Sequence, residues 1–214
     1  MARIKAILFD NDGTLVDTHD LLLDSFQYAT RTVLGVDLPE EVLMAGVGTP
    51  LADQMKDFTD DPKLQQELLT VYRDYNHARH DEAIALFPGV LETLRSLHVE
   101  GYKMGVVTAK MHALAWHGLE IMGIAPYMDC LIGPDDCPKS KPAPAPILMG
   151  CKLLGVAPSE CLYVGDSPYD MRAGREAGCD TAAALWGMFE RSVLENEKPT
   201  HFCTRFQDVA TLAS

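Results

Sequence analysis

The amino-acid sequence predicts an α/β fold: a Rossmann-like parallel sheet with helices on both faces, into which an α-helical segment is inserted. Three observations support this prediction. Short apolar runs of strand length recur along the chain, amphipathic helical patterns separate most of them, and residues 19 to about 81 contain helical patterns only. Alternating strands and helices are typical of a parallel sheet covered by helices. A long, purely helical stretch within that alternation indicates an insertion.

Five apolar runs are the candidate strands. The first, IKAILF at residues 4–9, is almost continuously apolar, as expected of a strand that is buried on both faces. The others are residues 103–107 (KMGVV), 128–132 (MDCLI), 161–164 (CLYV) and 181–185 (TAAAL).

Four helical patterns connect these strands. The apolar residues of GVLETLRSLHVEG share one face, and Gly101 ends the helix. Residues 111–122 form the second pattern, and residues 169–177 form a short fourth one. The third, PAPILMGCKLLG, begins at a proline and ends at a glycine, as helices prefer.

Residues 16–85 are predicted to be an inserted helical domain, and residues 1–15 and 86–214 form the α/β core. Four helical patterns lie in the insert: DLLLDSFQYATRTVLG, PEEVLMAG, PLADQMKDF and DPKLQQELLTVYRDYNHARH. The charge also changes there, because residues 16–85 contain 14 acidic and five basic residues, a net charge of −9 out of −13 for the chain. We expect hinges near residues 15–18 and 82–88.

The composition limits the classes of function. The 214 residues suffice for one domain or for a core with a smaller insert, and 47% hydrophobic residues predict a packed interior. A net charge of −13 makes nucleic acid and anionic membranes unfavourable partners. No apolar run reaches the roughly 18 residues of a transmembrane helix, and acidic residues come too early for a signal peptide. We therefore expect a cytoplasmic protein, either a monomer or a homodimer.

Cysteine and histidine show no spacing typical of metal ligands. The six cysteines contain no CxxC pair, so we expect reduced and mostly buried side chains. The seven histidines are expected on the surface, with His77 and His80 on a solvated helix face.

Four polar clusters each follow a candidate strand. They are Asp10 with Asp12, Thr108, Lys141 in the loop CPKSKPAP, and Asp166 with Asp170. Because the carboxyl ends of neighbouring parallel strands line one crevice, the four clusters are predicted to converge. Lys139 lies in the same loop as Lys141, but Lys141 adjoins the proline-rich helix start.

These side chains predict a metal-assisted reaction on a phosphate group. Several carboxylates cannot lie together ionised without a cation, and oxygen ligands without histidine or cysteine favour Mg²⁺. A lysine and a threonine hydroxyl then suit a phosphate, and Gly13 lets backbone amides face it. One carboxylate of the Asp10/Asp12 pair can attack phosphorus and form an acyl phosphate. The other can protonate the leaving oxygen and then deprotonate water.

The stretches FDNDGTLVDT, GVVTAK, KSKPAPAP and YVGDSPYDMRAGREAGC resemble, in this order, the four motifs of the haloacid dehalogenase superfamily. The resemblance is greatest to its phosphoglycolate phosphatase and pyrophosphatase branch, and it extends over nearly the whole chain. It implies that the insert is a helical cap, which closes over the substrate and excludes water.

The resemblance also implies a role for each matching residue. Asp10 would be the nucleophile and a Mg²⁺ ligand, and Asp12 the general acid/base, with its backbone carbonyl on the metal. Thr108 would hold the phosphoryl group together with the backbone at Gly13 and Ala109. Lys141 would neutralise nucleophile and phosphate, Asp166 would bind Mg²⁺, and Asp170 would support Lys141 or a metal-bound water. Asn11 replaces the usual apolar residue, and strand alternation would turn its side chain away from the two aspartates.

The favoured function is Mg²⁺-dependent hydrolysis of a small phosphorylated metabolite. Phosphoglycolate ranks first, pyrophosphate second, and a sugar phosphate is a further option. A cap cation would meet the glycolate carboxylate, with Arg31, Arg73 and Arg79 as candidates by elimination. The small number of cap cations weighs against pyrophosphate.

Other functions differ in identifiable features. A phosphomutase would carry the same four motifs and stays open. A haloacid dehalogenase or a phosphonate hydrolase does not need Asp12. A response-regulator receiver domain takes its phosphorylated aspartate from the third strand and has no helical insert. A binding protein without activity is disfavoured because every motif carboxylate is present.

Overall fold

The structure, a computed structural model, describes residues 4–213, so residues 1–3 and 214 of the predicted core lie outside it. Within this range six strands form one sheet, in the order β5-β4-β1-β6-β7-β8, and two short strands pair separately. The strands are β1 (Ala6–Phe9), β2 (Val16–Asp17), β3 (Ala85–Leu86), β4 (Lys103–Val107), β5 (Cys130–Ile132), β6 (Cys161–Gly165), β7 (Asp180–Ala184) and β8 (His201–Cys203).

All neighbouring strands of the large sheet run parallel, which confirms the predicted fold class. The first strand lies in the middle, with Phe9 opposite Val106 of β4 on one side and Val164 of β6 on the other. All four residues of β1 are fully buried, because helices cover both faces of the sheet. After β1 the chain forms β4 and β5 on one side of it and then β6, β7 and β8 on the other side. The carboxyl end of β1 is therefore a switch point at which a crevice opens.

The helices connect the strands much as the periodicity predicts. They are α1 (His19–Leu34), α2 (Glu40–Leu43), α3 (Leu51–Gln54), α4 (Pro62–Ala83), α5 (Val90–Val99), α6 (His112–Ile121), α7 (Ala145–Leu154), α8 (Pro168–Ala177), α9 (Arg191–Glu195) and α10 (Asp208–Ala213). Glycine follows the last residue of α1, α7 and α8 in a left-handed conformation, as expected of helix C-termini.

Residues 16–85 contain helices α1 to α4 and have an apolar core of their own. The long helices α1 and α4 pack along each other, and the ring centres of Phe26 and Tyr72 lie 4.6 Å apart between them. Leu43, Met55 and Leu68 complete this cluster. The segment leaves and rejoins the core through an antiparallel ribbon of β2 and β3, within the two predicted hinge regions. We propose that these helices form a cap over the crevice.

The sequence prediction differs from the structure mainly in short elements. The strands β2, β3 and β8 and the helices α9 and α10 were not predicted, because elements of two to six residues show too little periodicity. The predicted helix PLADQMKDF is split into α3 and a 3-10 turn, Met55–Asp57. None of the helices in the described part of the chain combines the length and the apolar character needed to cross a membrane.

Candidate active site

Asp10 lies at the centre of the crevice because β1 ends at Phe9, one residue before it. Its backbone N–H still donates to the carbonyl of Val164, at 2.9 Å, which ties the start of the loop to β6. The carboxylate atom Oδ1 accepts from the N–H of Asn11 at 2.7 Å and lies 3.0 Å from Nζ of Lys141. Burial raises the pKa of Asp10 well above its usual value, and Lys141 only partly opposes this.

Lys141 joins two carboxylates in the interior. Its Nζ lies 2.6 Å from Oδ1 of Asp170 and 3.0 Å from Oδ1 of Asp10, and the side chain is almost fully buried. Burial alone would lower the pKa of Lys141, but the two carboxylates raise it above its usual value. Lys139, the other lysine of this loop, is exposed. The structure therefore places Lys141 and not Lys139 in the crevice.

Asp170 is held by hydrogen bonds from three directions. Tyr163 on β6 donates its hydroxyl proton to Oδ1 at 2.8 Å, and Lys141 donates to the same atom. Oδ2 accepts from the backbone N–H and the hydroxyl of Ser167, at 3.0 and 2.6 Å. Ser167 is also the N-cap of α8, so the helix start itself orients Asp170. Asp170 is thus placed to position Lys141.

Asp166 lies close to Asp10 and is held by two hydrogen bonds. Its Oδ1 accepts from the hydroxyl of Thr14 at 2.9 Å, and its Oδ2 accepts from the N–H of Met188 at 2.8 Å. Burial and the negative charge of Asp170 raise the pKa of Asp166 to about 7. The side chain of Asp166 fits here because residue 13 is a glycine. A Cβ added to Gly13, whose φ is +79°, would lie only 2.2 Å from Oδ2 of Asp166.

Asp10, Asp166 and Asp170 bring carboxylate oxygens within 4.8 Å of one another in a buried position. Three carboxylates this close repel one another, and the raised pKa values of Asp10 and Asp166 reflect that repulsion as well as burial. All donors are oxygens, which is the ligand type that Mg²⁺ prefers. The residues present therefore fit a hard divalent cation.

Asp12 is paired with a lysine that the sequence analysis did not assign. Nζ of Lys110 donates to Oδ1 of Asp12 at 2.6 Å, and both side chains are mostly buried. Burial would raise the pKa of Asp12, but Lys110 lowers it below its usual value. Lys110 comes two residues after Thr108 in the stretch GVVTAK. This position, in the loop that carries Thr108, is the sequence feature that could have identified Lys110 as a site residue.

Asn11 differs from the expectation. The side chain is buried, and it helps to lower the pKa of Asp12 instead of pointing away from it. The physical reason is that β1 ends at Phe9, so the alternation of a strand does not extend to Asn11. Within residues 4–213, the side-chain oxygen of Asn11 has no hydrogen-bond partner.

Thr108 and Ala109 directly follow β4, at the same edge of the sheet. The N–H of Thr108 donates to the carbonyl of Ile132 at 3.0 Å, and its hydroxyl accepts from the N–H of Lys110 at 3.1 Å. A cavity of about 250 Å³ opens in front of these residues. Asp10, Asp12, Thr108, Ala109 and Lys110 line it from the core, and residues of α1, α3 and α4 line it from the cap.

Two further clusters show what chain spacing did not reveal. Five cysteines are buried, as expected, but the fold brings the sulfurs of Cys151, Cys161 and Cys179 within 4.8 Å of one another. His80 is buried and not solvated, because the last turn of α4 packs against α6. It pairs with Asp81, which also lies 2.9 Å from His117 of α6.

Comparisons with known proteins agree with this fold. The model of the haloacid dehalogenase-like hydrolase family matches residues 7–184. A Clostridium perfringens protein provisionally named pyrophosphatase PpaX is 38% identical over 209 residues, which cover 98% of this chain and 97% of that protein. The pyrophosphatase PpaX of Bacillus cereus is 34% identical over 212 residues, or 99% of this chain and 97% of that protein.

Solved structures give the same result. A Haemophilus somnus protein described as a predicted phosphoglycolate phosphatase superposes with a TM-score of 0.92 over 100% of both chains, at 27% identity. The family model covers most of the chain, and the relatives align from end to end. This chain therefore belongs to the haloacid dehalogenase-like hydrolase family.

Proposed function

We propose that this protein is a Mg²⁺-dependent phosphatase that acts on a small phosphorylated metabolite through a phosphoaspartate at Asp10. The observation that carries the proposal is the position of Asp10: buried at the switch point, in contact with Lys141 and close to Asp166 and Asp170. Burying an ionised carboxylate costs folding free energy, so a buried carboxylate in such a position indicates a functional role for its charge. Perturbed carboxylates in a crevice are characteristic of catalytic sites.

Mg²⁺ would be held by Asp10, Asp166 and the backbone carbonyl of Asp12. Asp170 lies close enough to belong to the same group, but Lys141, Tyr163 and Ser167 already occupy its two oxygens. We therefore assign Asp170 to positioning Lys141. When bound, Mg²⁺ supplies positive charge that neutralises the carboxylates and the phosphoryl oxygens.

Asp10 supplies the nucleophile. Its Oδ1 is held by Asn11 and Lys141, so we assign Oδ2 as the atom that attacks phosphorus. The new bond joins Oδ2 to phosphorus, and the bond from phosphorus to the leaving oxygen breaks. Lys141 and the hydroxyl of Thr108 neutralise and orient the phosphoryl oxygens during this step.

Asp12 transfers the protons. In its protonated form it gives a proton to the leaving oxygen, and as a carboxylate it then takes a proton from the water that attacks the phosphoaspartate. Phosphorus–oxygen cleavage in the second step returns the Asp10 carboxylate and releases phosphate. Without substrate, Lys110 keeps Asp12 ionised. We therefore infer that substrate oxygens replace Asp12 as the partner of Lys110 before the first proton transfer.

The size and lining of the cavity favour a small substrate. Its volume of about 250 Å³ lies below the range of about 300–1,000 Å³ that is typical of pockets for drug-sized ligands. Pyrophosphate is favoured by the names of full-length relatives that are 34–38% identical. Lys110, which adds a cation beside the acids, weakens the charge argument that ranked pyrophosphate below phosphoglycolate.

Phosphoglycolate, which ranked first from the sequence alone, becomes the second candidate substrate. The solved Haemophilus somnus structure at 27% identity carries that description, and the cap wall of the cavity offers few cations for a compound as highly charged as pyrophosphate. We further propose that the protein works in the cytoplasm as a monomer or homodimer. Its net charge of −13 disfavours nucleic acid and membrane surfaces as partners.

Phosphate release from a panel of substrates tests the proposal. Pyrophosphate, phosphoglycolate, sugar phosphates and p-nitrophenyl phosphate would each be assayed with Mg²⁺ and again with a chelator. We expect one metabolite to be hydrolysed far better than p-nitrophenyl phosphate, and only with the metal. Absence of hydrolysis for every compound under both conditions would contradict the proposal and favour the phosphomutase alternative.

A further inference from the structure

The cap wall of the cavity carries one arginine that is not used elsewhere. Arg73 lies on α4, half-buried, and lines the cavity together with Asp10 and Asp12. In the part of the chain that the structure describes, Arg73 forms no ion pair and no hydrogen bond through its side chain. An arginine that lines a cavity and has no partner for its guanidinium is a natural binding residue for an oxyanion.

The other two candidate arginines of the cap are committed to other contacts. Arg31 is paired with Asp37, close to the end of α1, and the guanidinium of Arg79 stacks on the ring of Tyr75 at 3.8 Å. Neither Arg31 nor Arg79 lines the cavity. The structure thus separates three arginines that composition could not distinguish.

Neighbouring side chains on α4 complete a polar face beside Arg73. Asn76 and His77 also line the cavity, three and four residues further along the helix. Asn76 is 3% exposed, and its amide nitrogen donates to the hydroxyl of Ser25 at 3.1 Å, which orients the side chain. His77 adds a ring N–H donor. The rest of the cap wall is mainly apolar, with Leu22, Phe26 and Leu51 among its residues.

We infer that Arg73, with His77 beside it, binds a second oxyanion of the substrate, remote from the phosphoryl group that is transferred. This inference rests on the proposed phosphatase function and names the part of the cap that selects the substrate. The second oxyanion is either a phosphoryl group or a carboxylate, and both pyrophosphate and phosphoglycolate carry one.

Two physical features make Arg73 selective. Apolar walls lower the local dielectric, so the attraction between the guanidinium and an oxyanion is stronger than at an exposed surface. A substrate with a neutral group at that end would leave the half-buried cation without a partner, which costs binding energy. The subsite therefore discriminates against neutral phosphomonoesters of the same size.

Matched substrates test the inference. Phosphoglycolate is compared with 2-hydroxyethyl phosphate, in which a neutral hydroxymethyl group replaces the carboxylate, and pyrophosphate is compared with methyl phosphate. The variants are Arg73→Met and, as a control on the same helix, Arg79→Met. We expect Arg73→Met to lower kcat/KM by about 10- to 100-fold for whichever substrate with a second oxyanion the wild type uses. For the neutral partner of that pair we expect less than about a threefold change.

Binding of inorganic phosphate separates a selective role from general damage to the cap. Phosphate competes for the site at Asp10 and Lys141, so its inhibition constant should be the same in Arg73→Met and in the wild type. An equal loss of kcat/KM for charged and neutral substrates, or no loss for either, would overturn the subsite. A wild type that hydrolyses sugar phosphates or p-nitrophenyl phosphate but none of these four compounds would also overturn the subsite, whereas hydrolysis of no compound at all would contradict the proposed phosphatase function.

Discussion

Nζ of Lys110 lies 2.6 Å from Oδ1 of Asp12, so a lysine of the core holds the proposed general acid/base in its ionised form. Lys110 also lines the cavity, where the oxygens of a substrate can compete with Asp12 for it. We propose that this contact couples the protonation of Asp12 to substrate binding, because the pKa of Asp12 rises when Lys110 no longer pairs with it.

Replacement of Lys110 tests this coupling. Lys110→Met removes the charge that lowers the pKa of Asp12, so the pH profile of kcat/KM should move to higher pH. We also expect kcat/KM at the optimum to fall about tenfold, because a charged partner of the substrate is lost. The measurement is steady-state hydrolysis across a pH series. Lys110→Arg keeps the charge and should keep the wild-type profile, whereas an unshifted profile in Lys110→Met would show that Lys110 does not control Asp12.

Asp10→Asn should abolish turnover and preserve the fold. A carboxamide cannot form the acyl phosphate, so we expect activity to fall by at least about 1,000-fold. The free energy of unfolding without metal should be unchanged or higher, because one of three repelling carboxylates becomes neutral while Lys141 keeps Asp170. Phosphate release and thermal unfolding provide the two measurements. The matched control is Asp74→Asn, an exposed acid of α4. Comparable activity in the two folded variants would exclude Asp10 as the nucleophile.

Gly13 and Gly35 form a matched pair for testing the shape of the metal site. Both have a positive φ, of +79° and +69°, so an alanine at either position strains the backbone by about 1–2 kcal/mol. Only at Gly13 would the new Cβ lie 2.2 Å from Oδ2 of Asp166, because nothing lies within 4 Å of the Cβ position at Gly35. Gly13→Ala should therefore lose most of its Mg²⁺ affinity and activity, and Gly35→Ala should lose stability alone. Calorimetric Mg²⁺ titration distinguishes the two, and equal Mg²⁺ affinities would argue against Asp166 as a ligand.

Mg²⁺ should stabilise this protein more at alkaline than at acidic pH. The pKa of Asp166 rises from 3.8 to about 7 on folding without metal, so between these values the folded chain holds more protons than the unfolded chain. The contribution of Asp166 to the free energy of unfolding therefore falls as the pH rises from about 4 to about 7. Mg²⁺ binds the ionised carboxylates and opposes this fall, by about 2.7 kcal/mol at a free concentration of 100 Kd.

Urea unfolding at several pH values, with Mg²⁺ or with a chelator, measures this effect. The comparison with Asp166→Asn measures the contribution of Asp166 together with its repulsion of Asp10, because the more distant titrating groups are common to both proteins. In the variant, the Mg²⁺ response should be largely lost, and metal-free stability should fall less between about pH 4 and 7. A Mg²⁺ response of equal size at low and high pH in the wild type would contradict the assignment.

The parallel fold and the convergence of the polar clusters could be predicted because both depend on local patterns. The run 161–164 is apolar throughout and the run 103–107 is apolar after Lys103, which fits strands buried on both faces. Each polar cluster directly follows a strand or lies in the loop after it, and parallel strands bring such residues to one edge whatever the details of packing. Asp10, Lys141, Asp166 and Asp170 therefore lie together as expected.

By itself, then, the sequence determined the order of five of the strands and of the longer helices, and the loops that carry the chemistry. The tertiary structure decided which side chains meet across the crevice and the cap. Lys110 pairs with Asp12 over 98 residues of chain, Arg73 lines the cavity while Arg79 does not, and His80 is buried against α6. These outcomes depend on how helix faces rotate and dock against a separate segment of chain. Local periodicity contains no information on that docking, because the free energy that selects it comes from contacts between residues far apart in sequence.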